Sequence, residues 1–189
     1  PYGRKPFGPG DNIVISSSEH DANAGTWVRL AEEAGVEVRW LPMKTVRSAS
    51  TGFKVHTELD CEKLDSLVDE NTRLVTVGGG SNSLGTLNNI KYVCQVANKY
   101  GALSFVDAVH YAPHMLIDVK DIGCTFLACS PYKFFGPHIG IMYGDAKLMD
   151  GPWNEESTAT MRPMKIRTST DTLPSSESYN ISRWELGTA

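Results

Sequence analysis

The chain has 189 residues, 41% of them hydrophobic and 21% charged, and a formal net charge of -4. That size and balance fit a globular unit with one core of its own. The acidic balance argues against a nucleic-acid surface, and the sequence holds neither a membrane-length apolar run nor a signal-like start, so the expected setting is cytoplasmic, with no nucleic-acid or membrane partner.

Strand-like and helix-like segments alternate along the chain. Residues 10–17 (GDNIVISS) read as a short apolar strand after a Gly-Asp turn. Residues 24–35 (AGTWVRLAEEAG) set Trp27, Leu30, Ala31 and Ala34 at helical spacing and put Gly35 at the C-cap. Residues 36–42 alternate as a strand. Residues 58–72 (ELDCEKLDSLVDENT) read as a helix with Leu64, Leu67 and Val68 on one face and Asp60 as N-cap. A strand over 73–79 precedes a helix over 87–101, which turns Ile90, Val93, Val96 and Ala97 inward and ends at Gly101. Residues 102–110, 124–130 and 139–144 read as further strands. The alternation predicts right-handed βαβ crossovers and an α/β fold: a mostly parallel sheet with helices on both faces. From about residue 154 the sequence turns polar and rich in Ser and Thr, which predicts a domain over 1–153 and a connecting segment over 154–189.

Cys61, Cys94, Cys124 and Cys129 show no CxxC and no metal spacing, and read as reduced thiols. His110 and His114 lie four apart near Asp107, but Pro113 breaks the helix that would make them converge, so no metal is expected.

Ligands of open α/β sheets gather at the carboxyl ends of strands. The stretches there are SSSEHDAN, GGGSNSLGT, VDAVHYAPH and ACSPYKFFGPH. Together they deliver His20, Asn82, Asp107, His110, Ser130 and Lys133. Lys133 stands between Tyr132 and two phenylalanines. A lysine so placed either extends its head to water or is held partly desolvated, the state that suits a nucleophile. A lysine nucleophile, an acid, an aromatic ring and hydroxyls near a backbone turn are what a pyridoxal-phosphate site needs. The lysine forms a Schiff base, the acid keeps the pyridine nitrogen protonated, and hydroxyl and amide groups hold the phosphate. The glycines at 78–80 match neither a GxGxxG nor a P-loop and read as backbone freedom where a cofactor approaches.

Five motifs in register carry a family resemblance: GDNIVISSSEHDAN, SNSLGT, VDAVH, SPYKFFGP with IGIMYG, and RWELGT. The chain resembles fold-type I pyridoxal-phosphate enzymes of the class V aminotransferase group, above all the cysteine desulfurase and selenocysteine lyase branch. The similarity runs over residues 10–144 and returns at 183–188. It implies that Lys133 is the Schiff-base lysine and proton shuttle, that Asp107 pairs with the pyridinium nitrogen, and that His20 stacks on the ring. It sets Asn82 near the phenolic oxygen and the substrate carboxylate, and Ser130 on the phosphate. His110 stands where the family usually has a Gln bonded to the phenolic oxygen. Tyr132 replaces a His that often precedes the lysine, and either binds phosphate through its hydroxyl or packs. Thr188 would reach the phosphate of the other subunit's cofactor in a homodimer with a shared active site.

The implied reaction is β-elimination of sulfur or selenium from a small amino acid, with a sulfur-acceptor protein as partner. A class V aminotransferase or epimerase-like enzyme is an alternative within enzymes; a cofactor-free interaction domain or inactive truncated product is one outside them. The resemblance also sets a first phosphate-binding turn before Pro1. After Ala189 it sets a small C-terminal domain, absent here, with the carboxylate-binding Arg and the sulfur-accepting Cys.

Overall fold

A computed structural model describes residues 7–145 of the chain. The boundary expected at 153 and the segment 154–189, with Thr188, lie outside the described residues.

Alternation of apolar residues with turn signals builds a six-stranded sheet. Its strands are β1 (Asn12–Ser16), β2 (Glu37–Leu41), β5 (Thr72–Gly78), β6 (Leu103–Asp107), β7 (Phe126–Cys129) and β8 (Ile141–Gly144), in the order β2-β1-β5-β6-β7-β8. All neighbours are parallel except β8, which runs antiparallel to β7. Strands β3 (Met43–Arg47) and β4 (Lys54–Leu59) form a separate antiparallel hairpin. The helices are α1 (Asp21–Ala34), α2 (Leu64–Leu67), α3 (Ile90–Lys99) and α4 (Val119–Ile122).

The central strands β1 and β5 are buried on both sides, so successive side chains feed two cores. Ile13, Ile15 and Leu74 pack with Ala31, Trp27 and Val28 of α1. Val14, Val75, Val77 and Val106 pack on the opposite face with Val93, Cys94 and Ala97 of α3. Helices therefore cover both faces, as the alternation predicts.

The helix ends follow capping chemistry. Helix α1 begins three residues earlier than its apolar spacing suggests, because the His20 side chain accepts a hydrogen bond from the Ala22 N–H and serves as N-cap. Gly35 closes it in the left-handed conformation, φ 67°. The Asn89 side chain caps α3 by accepting from the Tyr92 N–H. Helix α4, which periodicity does not reveal, is capped by Asp118, whose carboxylate accepts from the Lys120 and Asp121 N–H groups.

The helix expected over 58–72 is largely replaced. Residues up to Leu59 belong to β4, Cys61–Lys63 form a 3-10 turn, and only Leu64–Leu67 are α-helical. Asp60 makes no side-chain cap bond. Beyond Leu67 the side chains of Asp69 and Thr72 take over the backbone: Asp69 Oδ1 accepts from the Asn71 N–H and Thr72 Oγ1 accepts from the Asp69 N–H. Such local bonds compete with helix continuation. The short turn survives because Leu64 and Val68 are buried against α3 and the sheet.

Leu64 is fully buried. Leu64→Ala is therefore expected to lower unfolding stability by about 3 kcal/mol in urea denaturation. A loss well under 1 kcal/mol would contradict this account of the α3-side core.

Candidate active site

The strand ends that carry polar groups lie at one edge of the sheet. Register brings Gly78 opposite Asp107 and Asp107 opposite Ala128, so the turns after β5, β6 and β7 leave the sheet at one level. The chain after β1 joins them: Ser18 Oγ accepts from Asn88 Nδ2, and Glu19 Oε1 accepts from the Gly78 N–H at 2.6 Å.

Asp107 is half-buried, and its Oδ1 accepts from the Val109 N–H at 2.9 Å. That bond fixes the carboxylate at the strand end. No lysine or arginine among the described residues forms an ion pair with it.

His110 is half-buried three residues further on. Burial, joined by the Lys133 ammonium and by His20 and His114, pushes its pKa below the ordinary 6.5, while Asp107 opposes the shift. Electrostatically, His110 stands at the meeting point of Asp107, Lys133, His20 and His114. An open cleft of about 230 Å³ lies beside it, walled by Asn82, Thr86, Leu87, His110 and His114. The cleft thus takes in Asn82 and His110 of the expected site. Lys133, Asp107, His20 and Ser130 stand outside its wall.

Close packing holds the wall in place. A Cβ at Gly79 would fall 2.8 Å from Tyr111 Cβ, and one at Gly80 would fall 3.0 Å from the His110 carbonyl oxygen. Gly79 and Gly80 therefore let the turns after β5 and β6 touch. Thr86 Oγ1 is buried at the cleft without a hydrogen-bond partner.

Lys133 sits on the 3-10 turn Pro131–Phe134, its N–H bonded to the Ser130 carbonyl at 3.0 Å. Its side chain is exposed, not held desolvated as one reading of its aromatic neighbours suggests. The ammonium lies 5.1 Å from the Tyr132 ring centroid, and the other stacking partner of that ring is His138, at 4.8 Å and 4°. Tyr132 therefore meets its neighbours through its ring. The Ser130 side chain makes no cap bond to the turn, which leaves its hydroxyl for a ligand. The turn closes on itself. The Gly136 N–H donates to the Pro131 carbonyl at 2.8 Å, and Phe135 holds the left-handed conformation at φ 67°. That conformation costs a non-glycine residue about 1–2 kcal/mol. Strain of this kind gathers at functional turns.

His20 is exposed at the start of α1, and its Nδ1 accepts from the Ala22 N–H at 3.0 Å. An accepting Nδ1 leaves the ring proton on Nε2 and fixes the ring's orientation.

Glu19 has no role assigned by sequence, yet it is partly enclosed at this edge and hydrogen-bonded to Ser16, Asn23 and Gly78. Burial raises its carboxyl above the usual 4.5, against hydrogen bonds from Ser16, Asn23 and Gly78, with a further push from the Asp107 charge. Nothing periodic marks it, since its burial arises only when β5 comes alongside.

Burial pushes the Cys94 thiol up to about 12 and the Cys124 thiol up to about 11, and also raises Cys61 and Cys129. None of the four is an activated thiolate. Among the described residues no cluster of three His, Cys, Asp or Glu is placed to hold a metal ion, and no helix is long and apolar enough to cross a membrane.

Fold and site together describe an α/β domain that presents a lysine, a carboxylate and imidazoles at the carboxyl ends of parallel strands. A sequence model of the family described as aminotransferase class-V matches residues 1–175, and the chain belongs to that family. A cysteine desulfurase of Pectobacterium carotovorum subsp. carotovorum is 41% identical over 172 residues, 89% of this chain and 40% of that protein. An aminotransferase-like protein of Gibberella zeae is 39% identical over 137 residues, 72% of this chain and 32% of that protein. The apo structure of a cysteine desulfurase from Thermococcus onnurineus NA1 superposes with a TM-score of 0.72 at 29% identity, over 96% of this chain and 42% of that one. The chain spans about two-fifths of the length of the cysteine desulfurases it matches.

The lowered pKa of His110 sets a pH test. Between the folded value and 6.5 the unfolded chain binds more protons than the folded one, so stability falls as pH drops through 6.5 and is unaffected by this group above it. His110→Asn is expected to flatten the fall in urea midpoint between about pH 7 and about pH 5. An unchanged slope would mean that His110 titrates normally.

Proposed function

We propose that the protein is a pyridoxal-phosphate-dependent enzyme acting on an amino acid in the manner of a cysteine desulfurase. The observation that carries this reading is the sheet register, which sets the end of β6 with Asp107 level with the ends of β5 and β7, the strand that leads into the turn bearing Lys133. The donor set fits the cofactor. It offers an exposed primary amine, a carboxylate with no ion-pair partner among the described residues, a free serine hydroxyl and a buried threonine hydroxyl without a partner. Gly80 lines the cleft with its backbone.

Bound pyridoxal phosphate supplies a protonated ring that stabilises negative charge at the substrate's α-carbon. In this reading Lys133 Nζ would hold the cofactor and would move the proton at the substrate's α-carbon. Asp107 holds the proton on the ring nitrogen. His20 presents its fixed ring to the cofactor face. Asn82 and His110, which share the cleft, orient the phenolic oxygen and the substrate carboxylate, and the Ser130 hydroxyl serves the phosphate. Tyr132 steadies the turn through its stack with His138. Thr188 completes the partner's site in a homodimer.

Cysteine is the proposed substrate because the desulfurase relatives carry that activity in their names. Its sulfur passes to a thiol outside this chain, because burial disarms all four cysteines here. The same four thiols, all with raised pKa, together with the aminotransferase-like relative, favour a second reading: amino-group transfer without sulfur loss.

The test uses the complete protein with added pyridoxal phosphate. A near-visible band that borohydride traps on Lys133, and that Lys133→Ala lacks, is the expected result. Equimolar alanine and sulfide from L-cysteine with a thiol reductant would then assign the desulfurase reaction. Keto-acid formation without sulfide would assign transfer instead. A folded wild type with no band would overturn the enzymatic reading and favour an interaction domain.

A further inference from the structure

Glu19 and His20 are adjacent, but their side chains part. His20 turns outward to cap α1, and Glu19 turns inward beneath the end of the sheet. Glu19 Oε1 accepts from the Gly78 N–H at 2.6 Å and from the Ser16 hydroxyl, and Oε2 accepts from Asn23 Nδ2 at 2.6 Å. A Cβ at Gly78 would meet Glu19 Oε2 at 3.3 Å, so the carboxylate lies close against a glycine. The other polar group of Gly78 is also held by a side chain: its carbonyl accepts from Asn88 Nδ2 at 2.7 Å.

Two of the donors around Glu19 have fixed roles, the Gly78 N–H and the Asn23 amide. The Asn23 amide is oriented by the Trp27 indole N–H, which donates to Asn23 Oδ1 at 2.8 Å, and by Thr76, whose Oγ1 accepts from Asn23 Nδ2 at 2.9 Å. Its NH2 group must therefore face Glu19. These two fixed donors, joined by the Ser16 hydroxyl, favour a carboxylate, which only accepts when ionised. A glutamine could serve Gly78 with its oxygen only by setting its own NH2 against that of Asn23.

We propose that Glu19 is a positioning residue of the cofactor site: through Gly78 and Asn23 it fixes where the 78–80 turn, with Asp107 beside it, and the His20 ring meet a bound pyridoxal phosphate. The inference rests on the cofactor reading above. Its geometry concerns this chain alone. Glu19 ties the end of β1 to the end of β5 and to the first turn of α1, and so links the placement of Gly78 to that of His20. Asp107 is opposite Gly78 in the sheet, and its carbonyl accepts from the Gly79 N–H at 2.7 Å. Misplacing Gly78 therefore also displaces the acid that faces the ring nitrogen, and sub-ångström errors of that kind are costly to binding and rate.

The test takes Glu19→Gln in the complete protein, with two readouts. The amide proton of Gly78, observed after 15N-glycine labelling, is expected far downfield in the wild type and upfield in the variant. Pyridoxal phosphate, titrated by its near-visible absorbance, is expected to bind about tenfold more weakly to a variant whose thermal midpoint is little changed. Glu19→Asp keeps the charge but shortens the reach to Gly78, and is expected to weaken binding by a similar factor. It decides the matter should Glu19→Gln not fold. A folded variant that binds pyridoxal phosphate with wild-type affinity overturns the proposal. A wild type that shows the downfield amide but takes up no pyridoxal phosphate overturns it as well, through failure of the cofactor reading, and differs because the wild type itself gives no titration.

Discussion

The parallel ladder through β1, β5, β6 and β7 is the constraint on which the site depends. Side chains alternate along a strand, so register decides which face each residue shows. Leu103, Phe105 and Asp107 of β6 share the α1 face, where Trp27 meets Phe105 edge-on at 5.5 Å. Val106 is fully buried on the α3 face. A slip of one residue would carry Asp107 to the α3 side and set Val106 toward α1. Reciprocal bonds pin the neighbouring strand: the Ser104 N–H donates to Thr125 Oγ1 at 3.1 Å, and the Thr125 N–H donates to Ser104 Oγ at 2.8 Å. Structural polar pairs deep in the sheet thus hold the placement of a carboxylate at its edge.

From that ladder the rest follows in short steps. Turns leaving the sheet at one level bring four loops together. Glycines at 79 and 80 let two of those loops pack without a side chain between them. The self-closing turn after β7 gives Lys133 a firm mount while leaving its ammonium in solvent. In the proposed reading, an exposed lysine on this turn would gain its reactivity from the cofactor bound beside it. This differs from a nucleophile made reactive by burial alone.

Much of this was legible in the sequence because its signals are local. Apolar runs bounded by Gly and Asp gave the strands of the sheet, and Gly35 and Gly101 gave two helix ends. The strand-end polar residues lay where α/β topology puts a site. The missed features are non-local or short. The β3–β4 hairpin is polar on much of both faces and shows little alternation of burial. Helix α4 has a capping Asp118 and a closing Gly123, but four residues carry no period. Asp69 ended a helix that apolar spacing alone would continue. Glu19 could not be told from an ordinary acid before a helix until Gly78 and Asn23 came from elsewhere in the fold to meet it. Departures of residue type behave likewise: His110 is a hydrogen-bonding substitute by type, but its lowered pKa comes first from its burial and then from the Lys133 ammonium and the neighbouring imidazoles.

The central claim is that these strand ends form one cradle for a cofactor held by Lys133. A crystal structure of the complete protein grown with pyridoxal phosphate tests it most directly. The account predicts continuous density from Lys133 Nζ to the cofactor, the Asp107 carboxylate within hydrogen-bond distance of the ring nitrogen, and the His20 ring against the opposite face from the protein floor. Cofactor bound elsewhere, or a ring nitrogen facing a group other than Asp107, would contradict it.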